Sequence, residues 1–375
     1  MNKFGKFIVL ILILVFLTAL MNYFVNPFGV FNTYEKPSPL SNKFHRIYIF
    51  PKLKLKKENP DYVVFGSSNA LCYLNTGKLY EETGKSFYDV VIFACLNEEM
   101  LKLIDAYTQM YPQEKLLVAL EFDHFTEDRA GTLPDFTGKY LNPQEIIFLL
   151  FSQNAIKASI YSIGEDLHYK KLYYLNKLLQ KNKNLLKLPF FKDFKGNCHF
   201  ENKRQPKLRY SNWNERQFKQ SSFDYFAKIK KLTDERKIDA IFYLNPVNAY
   251  ALSDIYLSGV YGEVEKTKRE IAKVTPFYDF LYISKYSSEP VSLKNPYWFN
   301  SFHGNDALGT VIMDSLISDK KPFGVLVTQD NVEKVLKEQR HLLENFIKEH
   351  RKQIDEYRAN TGNDYTEEHD EVCLD

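Results

Sequence analysis

The sequence predicts an α/β fold: a parallel sheet flanked by helices, behind one N-terminal membrane-spanning helix. Three observations predict it. Short apolar runs at 62–65, 86–93, 115–122 and 238–245 alternate with stretches of helical periodicity, and strands that apolar along their whole length are buried on both faces. Aromatic residues make up 15% of the chain, supplied by 30 Phe and 26 Tyr against 2 Trp, which suits a thick sheet-containing core better than a bare helical bundle. No charged residue interrupts positions 7–25, which as a helix would be about 28 Å long, close to the hydrocarbon thickness of a bilayer.

The 7–25 stretch follows Lys3 and Lys6, so the positive-inside rule leaves residues 1–6 as a cytoplasmic stub and puts the body outside. A cleavable signal peptide would have a shorter core and a small-x-small site. Asn22-Tyr-Phe-Val-Asn-Pro27 offers none, and the stretch reads as an uncleaved anchor. Residues 26–57 form a tether containing Pro-Ser-Pro at 37–39 and a basic run with Lys52, Lys54, Lys56 and Lys57, read as a solvated surface with contact to anionic headgroups as the alternative.

The α/β domain spans 58–320. Its first strand, 62–65, ends at Gly66, which permits a sharp exit. A helix at 75–82 is stopped by Gly84. Strand two follows at 86–93, a helix at 98–111 carries Leu101, Leu103, Ile104 and Tyr107, and strand three is 115–122. An insertion at 125–214, rich in Tyr and Lys, is too long for a bare loop and predicts several short helices as a cap or side lobe. Helix 215–236, strand four at 238–245, a fifth strand at 277–283 and a helix at 305–317 complete the domain. Residues 321–375 hold one long charged helix over 331–358 and an acidic tail.

A net charge of +3 argues against a dedicated nucleic-acid binder. Four cysteines make no CxxC pair and no dense disulfide framework. No metal-ligand spacing, P-loop or dinucleotide glycine pattern is present, so neither metal nor cofactor is expected. What can carry chemistry is Gly66-Ser67-Ser68, a serine turn on the sheet edge where open α/β folds place ligands. A hydroxyl nucleophile needs a base within hydrogen-bond reach and a group to orient that base. Of the eight histidines, His341, His350 and His369 fall on charged C-terminal segments, His45 in a basic stretch, and His168 and His199 in the insertion. His124 follows strand three and is a secondary candidate. His303, in Tyr297-Trp-Phe-Asn-Ser-Phe-His303 before a helix, is the first choice.

An early Gly-x-Ser turn and a late His loop before the final helix resemble SGNH/GDSL-type hydrolases. The N-terminal anchor, Asn26-Pro-Phe-Gly29, Leu244-Asn-Pro-Val247 and Tyr278-Asp-Phe280 narrow the resemblance to the membrane-anchored branch of DltD-like and polysaccharide O-acetylation proteins. The resemblance implies Ser68 as nucleophile, His303 as base and Asn300 at the place of the family's acid, with Asp306 and Asp279 as alternative carboxylates. For the oxyanion it implies the Ser68 N–H and an Asn, here Asn97; Ser67, Cys95 and Trp298 complete the expected binding set by their places beside Ser68, at the strand-two exit and beside His303. The family's glycine after strand two is missing from Phe93-Ala-Cys-Leu-Asn97. Asn97 is read more readily as a helix cap, Cys95 as a small buried hydrophobe, and Trp298 equally as a sugar-stacking ring or as core.

These residues lead to an extracytoplasmic serine esterase or O-acyltransferase working on acyl esters of a cell-envelope polysaccharide or polyol polymer. The alternative is a degenerate relative that binds such a polymer or partners a membrane-bound O-acyltransferase.

Overall fold

The computed structural model describes residues 3–26, 30, 41–56, 59–112, 115–126, 131–160, 163, 213, 216–290, 295–318 and 323–360. The lysine-rich part of the insertion, the Pro-Ser-Pro of the tether and the acidic tail lie outside the described residues. In chain order the elements are α1 (Lys3–Val25), α2 (Ser41–Lys54), β1 (Tyr62–Gly66), α3 (Ser68–Tyr73), α4 (Thr76–Thr83), β2 (Phe87–Val91), α5 (Asn97–Met110) and β3 (Lys115–Leu120). A 3-10 turn (Phe122–Phe125) and α6 (Pro143–Phe151) follow, with further helical backbone over 153–160. Then come α7 (Gln220–Glu235), β4 (Ala240–Leu244), α8 (Ala249–Leu257), α9 (Tyr261–Val274), β5 (Phe277–Asp279), α10 (Asp306–Ile317), β6 (Val325–Val327), α11 (Val332–Glu349) and α12 (Arg351–Asn360).

Two compact units result: Met1–Lys56 with Thr137–Lys203, and Lys57–Phe136 with Arg204–Asp375. In the first, Phe4–Val25 of α1 is long and apolar enough to cross a membrane. The expected tether holds a helix, α2, whose Tyr48, Ile49, Phe50 and Leu53 are buried. Its basic run is not simply solvated. Lys54 Nζ donates to both Glu145 oxygens at 2.7 and 2.9 Å, and Lys56 is buried.

The second unit is built on a six-stranded sheet in the order β2-β1-β3-β4-β5-β6. The first five strands are parallel and β6 pairs antiparallel with β5. Order 2-1-3-4-5 is the flavodoxin-like one, which reverses direction between β1 and β3. The strands are apolar on both faces because helices cover both, and Val63, Val64, Phe65, Leu116, Leu117 and Val118 are fully buried. Gly66 is required by close approach: a Cβ there would sit 2.7 Å from the Ala70 Cβ and 2.9 Å from the Ala119 Cβ. Helix α4 stops at Gly84 as expected, but starts one residue after the expected Asn75, which caps it. Asn75 accepts from the Lys78 N–H at its start, and Gly84 takes the left-handed conformation at its end.

Several expectations differ from the structure. The fifth strand is three residues long, because the chain leaves the sheet at Phe280. The long C-terminal helix is two, broken at His350. Helices α8 and α9 between β4 and β5, and the edge strand β6, were not anticipated. Residues 323–360 belong to the same compact unit as the sheet. Arg358 Nε donates to Asp254 of α8 at 2.8 Å, and Gln339 of α11 reaches Asp279 of β5 at 2.8 Å.

Candidate active site

Ser68 is the first residue of α3, set at the C-terminal edge of the sheet by the turn out of β1. Its Oγ lies 3.1 Å from His303 Nε2, a contact across 235 residues of chain. Both side chains are half-buried. The loop presenting His303 is a closed turn: Trp298 bridges Gly304, and the Phe299 N–H donates to the His303 carbonyl at 2.9 Å. The exit of β4 holds this loop from the side, where the Asn248 N–H donates to the Ser301 carbonyl at 2.9 Å. Phe302 packs on Trp213 with ring centroids 5.8 Å apart, and Trp213 Nε1 donates to Asp254.

Asn300 is where the His303 ring finds its second partner. Its Oδ1 accepts the backbone N–H groups of Phe302 and His303, each at 2.9 Å, which fixes which end of the amide is oxygen. His303 Nδ1 then faces both ends, 3.1 Å from Oδ1 and 2.9 Å from Nδ2. If Nδ1–H donates to Oδ1, Nε2 is left as an acceptor for the Ser68 hydroxyl proton, the arrangement a general base needs. If Asn300 Nδ2–H donates to Nδ1, the ring proton sits on Nε2 and points at Ser68 Oγ instead. Because Oδ1 already accepts two backbone donors, the first arrangement makes Nδ1–H its third.

Neither alternative carboxylate serves His303. Asp279 is fully buried in an ion pair with Lys268 at 2.7 Å and accepts from Gln339, while Asp306 pairs with Lys78 at 3.2 Å. Lys268 is held by Asp279, by Gln339 Oε1 and by the Leu281 carbonyl, and burial pulls its pKa down against the pull of Asp279. That cluster ties α9, α11 and β5 together.

A polar network that the sequence did not announce lies beneath the serine turn. Ser67 is buried and its hydroxyl donates to Glu121, the residue that follows β3. Burial pushes the Glu121 carboxyl up to about 7, assisted by the Asp123 charge and opposed by Ser67, Asn245 and Asn69. The Tyr73 hydroxyl donates to Asn245 Oδ1 at 2.6 Å and accepts from Tyr243 at 2.9 Å. Burial raises both phenols above their ordinary range, so they stay neutral donors. Glu121 falls within the expected third strand, 115–122, which ends at Leu120 instead. The available signal was a carboxylate ending an otherwise apolar strand at the ligand-bearing edge.

The expected binding set changes accordingly. Ser67 acts on Glu121. Asn97 is the first residue of α5 rather than its cap. Its amide donates to the His124 carbonyl at 3.3 Å and the Ser222 carbonyl at 3.1 Å, tying β3's exit to α7 and not turning toward Ser68. Trp298 is core: it is 2% exposed and its Nε1 donates to the Tyr286 carbonyl at 2.7 Å, so it offers no face to a sugar. Cys95 is buried, as a small hydrophobe would be. Just before it, Ala94 takes a left-handed φ of 48°, at the β2 exit where the resemblance calls for glycine. A left-handed conformation is thus taken there without the residue that adopts it freely. The secondary candidate His124 is buried, and its Nδ1 accepts the Glu121 N–H at 3.2 Å, which closes the 3-10 turn.

Among the described residues no cluster of His, Cys, Asp and Glu is arranged to hold a metal ion. The arrangement can activate a serine hydroxyl and return its proton to a leaving group. Comparison with the sequence patterns of known protein families and with characterised proteins finds no match.

Proposed function

We propose that the protein is a membrane-anchored serine esterase or O-acyltransferase of SGNH-like type, working on acyl esters of an envelope polysaccharide or polyol polymer outside the cytoplasmic membrane. The single observation that carries this reading is the 3.1 Å contact between Ser68 Oγ and His303 Nε2. In the reaction, His303 Nε2 takes the hydroxyl proton as Ser68 Oγ attacks the acyl carbonyl. The alcohol leaves with that proton, and an acyl-serine remains. Water or a second hydroxyl, deprotonated by His303, then releases the acyl group. The Ser68 backbone N–H, at the start of α3, is the expected first donor to the oxyanion. The hydrophobic N-terminal helix supports the anchor, and Lys3 and Lys6 support the orientation.

Replacing Ser68 by alanine tests this. Turnover of a small acyl ester and labelling by a serine-directed phosphonate should both disappear, and undiminished turnover would refute the assignment.

The 2.9 Å approach of Asn300 Nδ2 to His303 Nδ1 favours a second reading, a binding protein with a weakened site that partners a membrane-bound O-acyltransferase. If Asn300→Asp gains no ester turnover and a membrane acyltransferase co-purifies with the full chain, that reading stands instead.

A further inference from the structure

The first unit carries an apolar surface that no catalytic argument uses. Helix α6 buries Leu149, yet Ile146, Ile147, Phe148 and Phe151 remain exposed at 37–58%, and Ile160 in the following helical stretch is 60% exposed. Such a cluster on a water-facing lobe would favour aggregation, so something covers it. Its position says what. α6 packs against α1, and the contact falls at the end of α1. Phe7 to Leu17 of α1 are bare, whereas Thr18 to Asn22 are covered or half-covered. With a rise of about 1.5 Å per residue, the covered turns are the outer third of a bilayer-spanning α1.

The polar groups at this contact are paired in part: the Asn22 amide N–H finds a partner, while Asn22 Oδ1 and Ser159 Oγ are buried without one among the described residues. The Asn22 side chain is fully buried and donates to the Leu150 carbonyl at 2.6 Å, occupying one of the carbonyls that the C-terminal end of α6 cannot pair within itself. At the other end, Asn142 caps α6, and Glu145 is neutralised by Lys54, whose side chain has no exposed surface. Tyr48 stacks on Phe148 and its hydroxyl meets Ser152 at 3.1 Å. Exposed Tyr23, Phe24 and Tyr140 complete the rim, where a membrane-water boundary favours aromatic rings.

We propose that α6 and the helical stretch over 153–160 form a second membrane-inserted element, lying in the outer leaflet against α1 with Ile146, Ile147, Phe148, Phe151 and Ile160 on lipid acyl chains. At nine residues α6 is far too short to span, so it immerses from one side, as an interfacial helix does. The proposal rests on the reading of α1 as a membrane anchor. It makes the early part of the expected cap or side lobe a lipid-facing structure.

The test uses the full chain, reconstituted alone into phosphatidylcholine–phosphatidylglycerol vesicles that contain a phosphatidylcholine with a diazirine in mid-acyl chain. After irradiation, lipid adducts are mapped by mass spectrometry. Adducts in 143–160 as well as in 7–25 support the proposal, and an Ile147→Asp/Phe151→Asp double variant should reduce those in 143–160 by at least about tenfold while leaving those in 7–25. Adducts confined to 7–25 overturn it, leave the anchor intact and assign the face to a protein partner. Adducts in neither segment overturn the anchor reading and the proposal with it.

Discussion

Replacing Asn300 by aspartate should raise activity. The turn tolerates the change, since a carboxylate oxygen can accept the Phe302 and His303 N–H groups that Oδ1 accepts now at 2.9 Å. What changes is the atom now 2.9 Å from His303 Nδ1, which turns from a donor into an acceptor. Both oxygens then demand a proton on Nδ1, and Nε2 is left free for Ser68. If the two present arrangements differ by about one neutral hydrogen bond, roughly 1 kcal/mol, correcting the tautomer yields no more than about tenfold. The larger contribution is charge. A carboxylate about 4 Å from the imidazolium that forms on attack is worth about 4 kcal/mol at an effective dielectric near 20, part of which desolvation offsets. The reverse change in serine proteases costs about ten-thousand-fold, which sets the ceiling. We expect kcat/KM on a small acyl ester to rise between about 10-fold and 1,000-fold, with the same direction in the rate of phosphonate labelling. The carboxylate also favours the protonated ring, so the acidic limb of the pH–rate profile should move to higher pH. The assay takes the Ser68→Ala protein as its background. A folded Asn300→Asp variant with an unchanged melting temperature and no gain over wild type would refute the argument that Asn300 limits the dyad.

Three further outcomes follow from buried groups around the site. Glu121, pushed up to about 7 by burial from an ordinary 4.5, keeps in the folded state a proton that the unfolded chain releases. Its stabilising effect is therefore complete below about pH 4.5 and lost as pH rises to about 7, a change of about 3 kcal/mol, and the difference between wild type and Glu121→Gln in urea unfolding across that window should show it. A Cβ on Gly309 would stand 2.0 Å from the Tyr73 carbonyl oxygen, so Gly309→Ala should cost about 3 kcal/mol or more by thermal unfolding. It should also lower kcat, because the helix it displaces begins with Ser68. Lys268→Ala strands the fully buried Asp279 charge and should cost about 3–5 kcal/mol in the same measurement, whereas a Lys268→Met/Asp279→Leu pair should recover most of it.

How far the fold could be read depends on what each element buries. The parallel strands were legible because burial on both faces leaves them apolar throughout, and the end of α4 because Gly84 is a chemically explicit stop. Helix α8 was not, since Ala249 to Ile255 are all buried and no polar face interrupts the pattern. Helix α9 failed for the opposite reason. Val264 and Ile271 sit at helical spacing, but the inner position between them is Lys268, whose burial depends on Asp279 and Gln339 from distant elements. The pairing of Ser68 with His303 was legible from turn chemistry and order along the chain. The polar support was not, because Ser67, Glu121, Asn245 and Tyr73 come together only when β1, β3 and β4 align. Trp298 shows the limit on side-chain roles: its place beside the histidine was correctly located, but a neighbouring aromatic says nothing about which way it faces, and the Tyr286 carbonyl turned it inward.

The sheet order explains why these residues meet. Reversal between β1 and β3 opens a crevice beyond the carboxyl ends of those two strands, and β1 delivers Ser67 and Ser68 there while β3 delivers Glu121. The Glu121 carboxyl thus stands on the serine side of the site, while the group that meets His303 Nδ1 is the Asn300 amide. The two positions have opposite electrostatic consequences. A charge at 300 would stabilise the imidazolium, whereas a charge on Glu121, hydrogen-bonded to the residue before the nucleophile, opposes the negative oxygen that develops on the attacked carbonyl. Burial that holds Glu121 protonated up to about pH 7 removes that opposition while keeping a hydrogen-bonded brace under the turn. With Asn300 neutral as well, neither the residue that meets His303 Nδ1 nor the carboxyl beneath Ser67 carries a charge below about pH 7. Under the proposed serine chemistry, catalysis then rests on placement of Ser68 and His303, and Asn300→Asp, which adds charge without moving either, isolates what placement alone achieves.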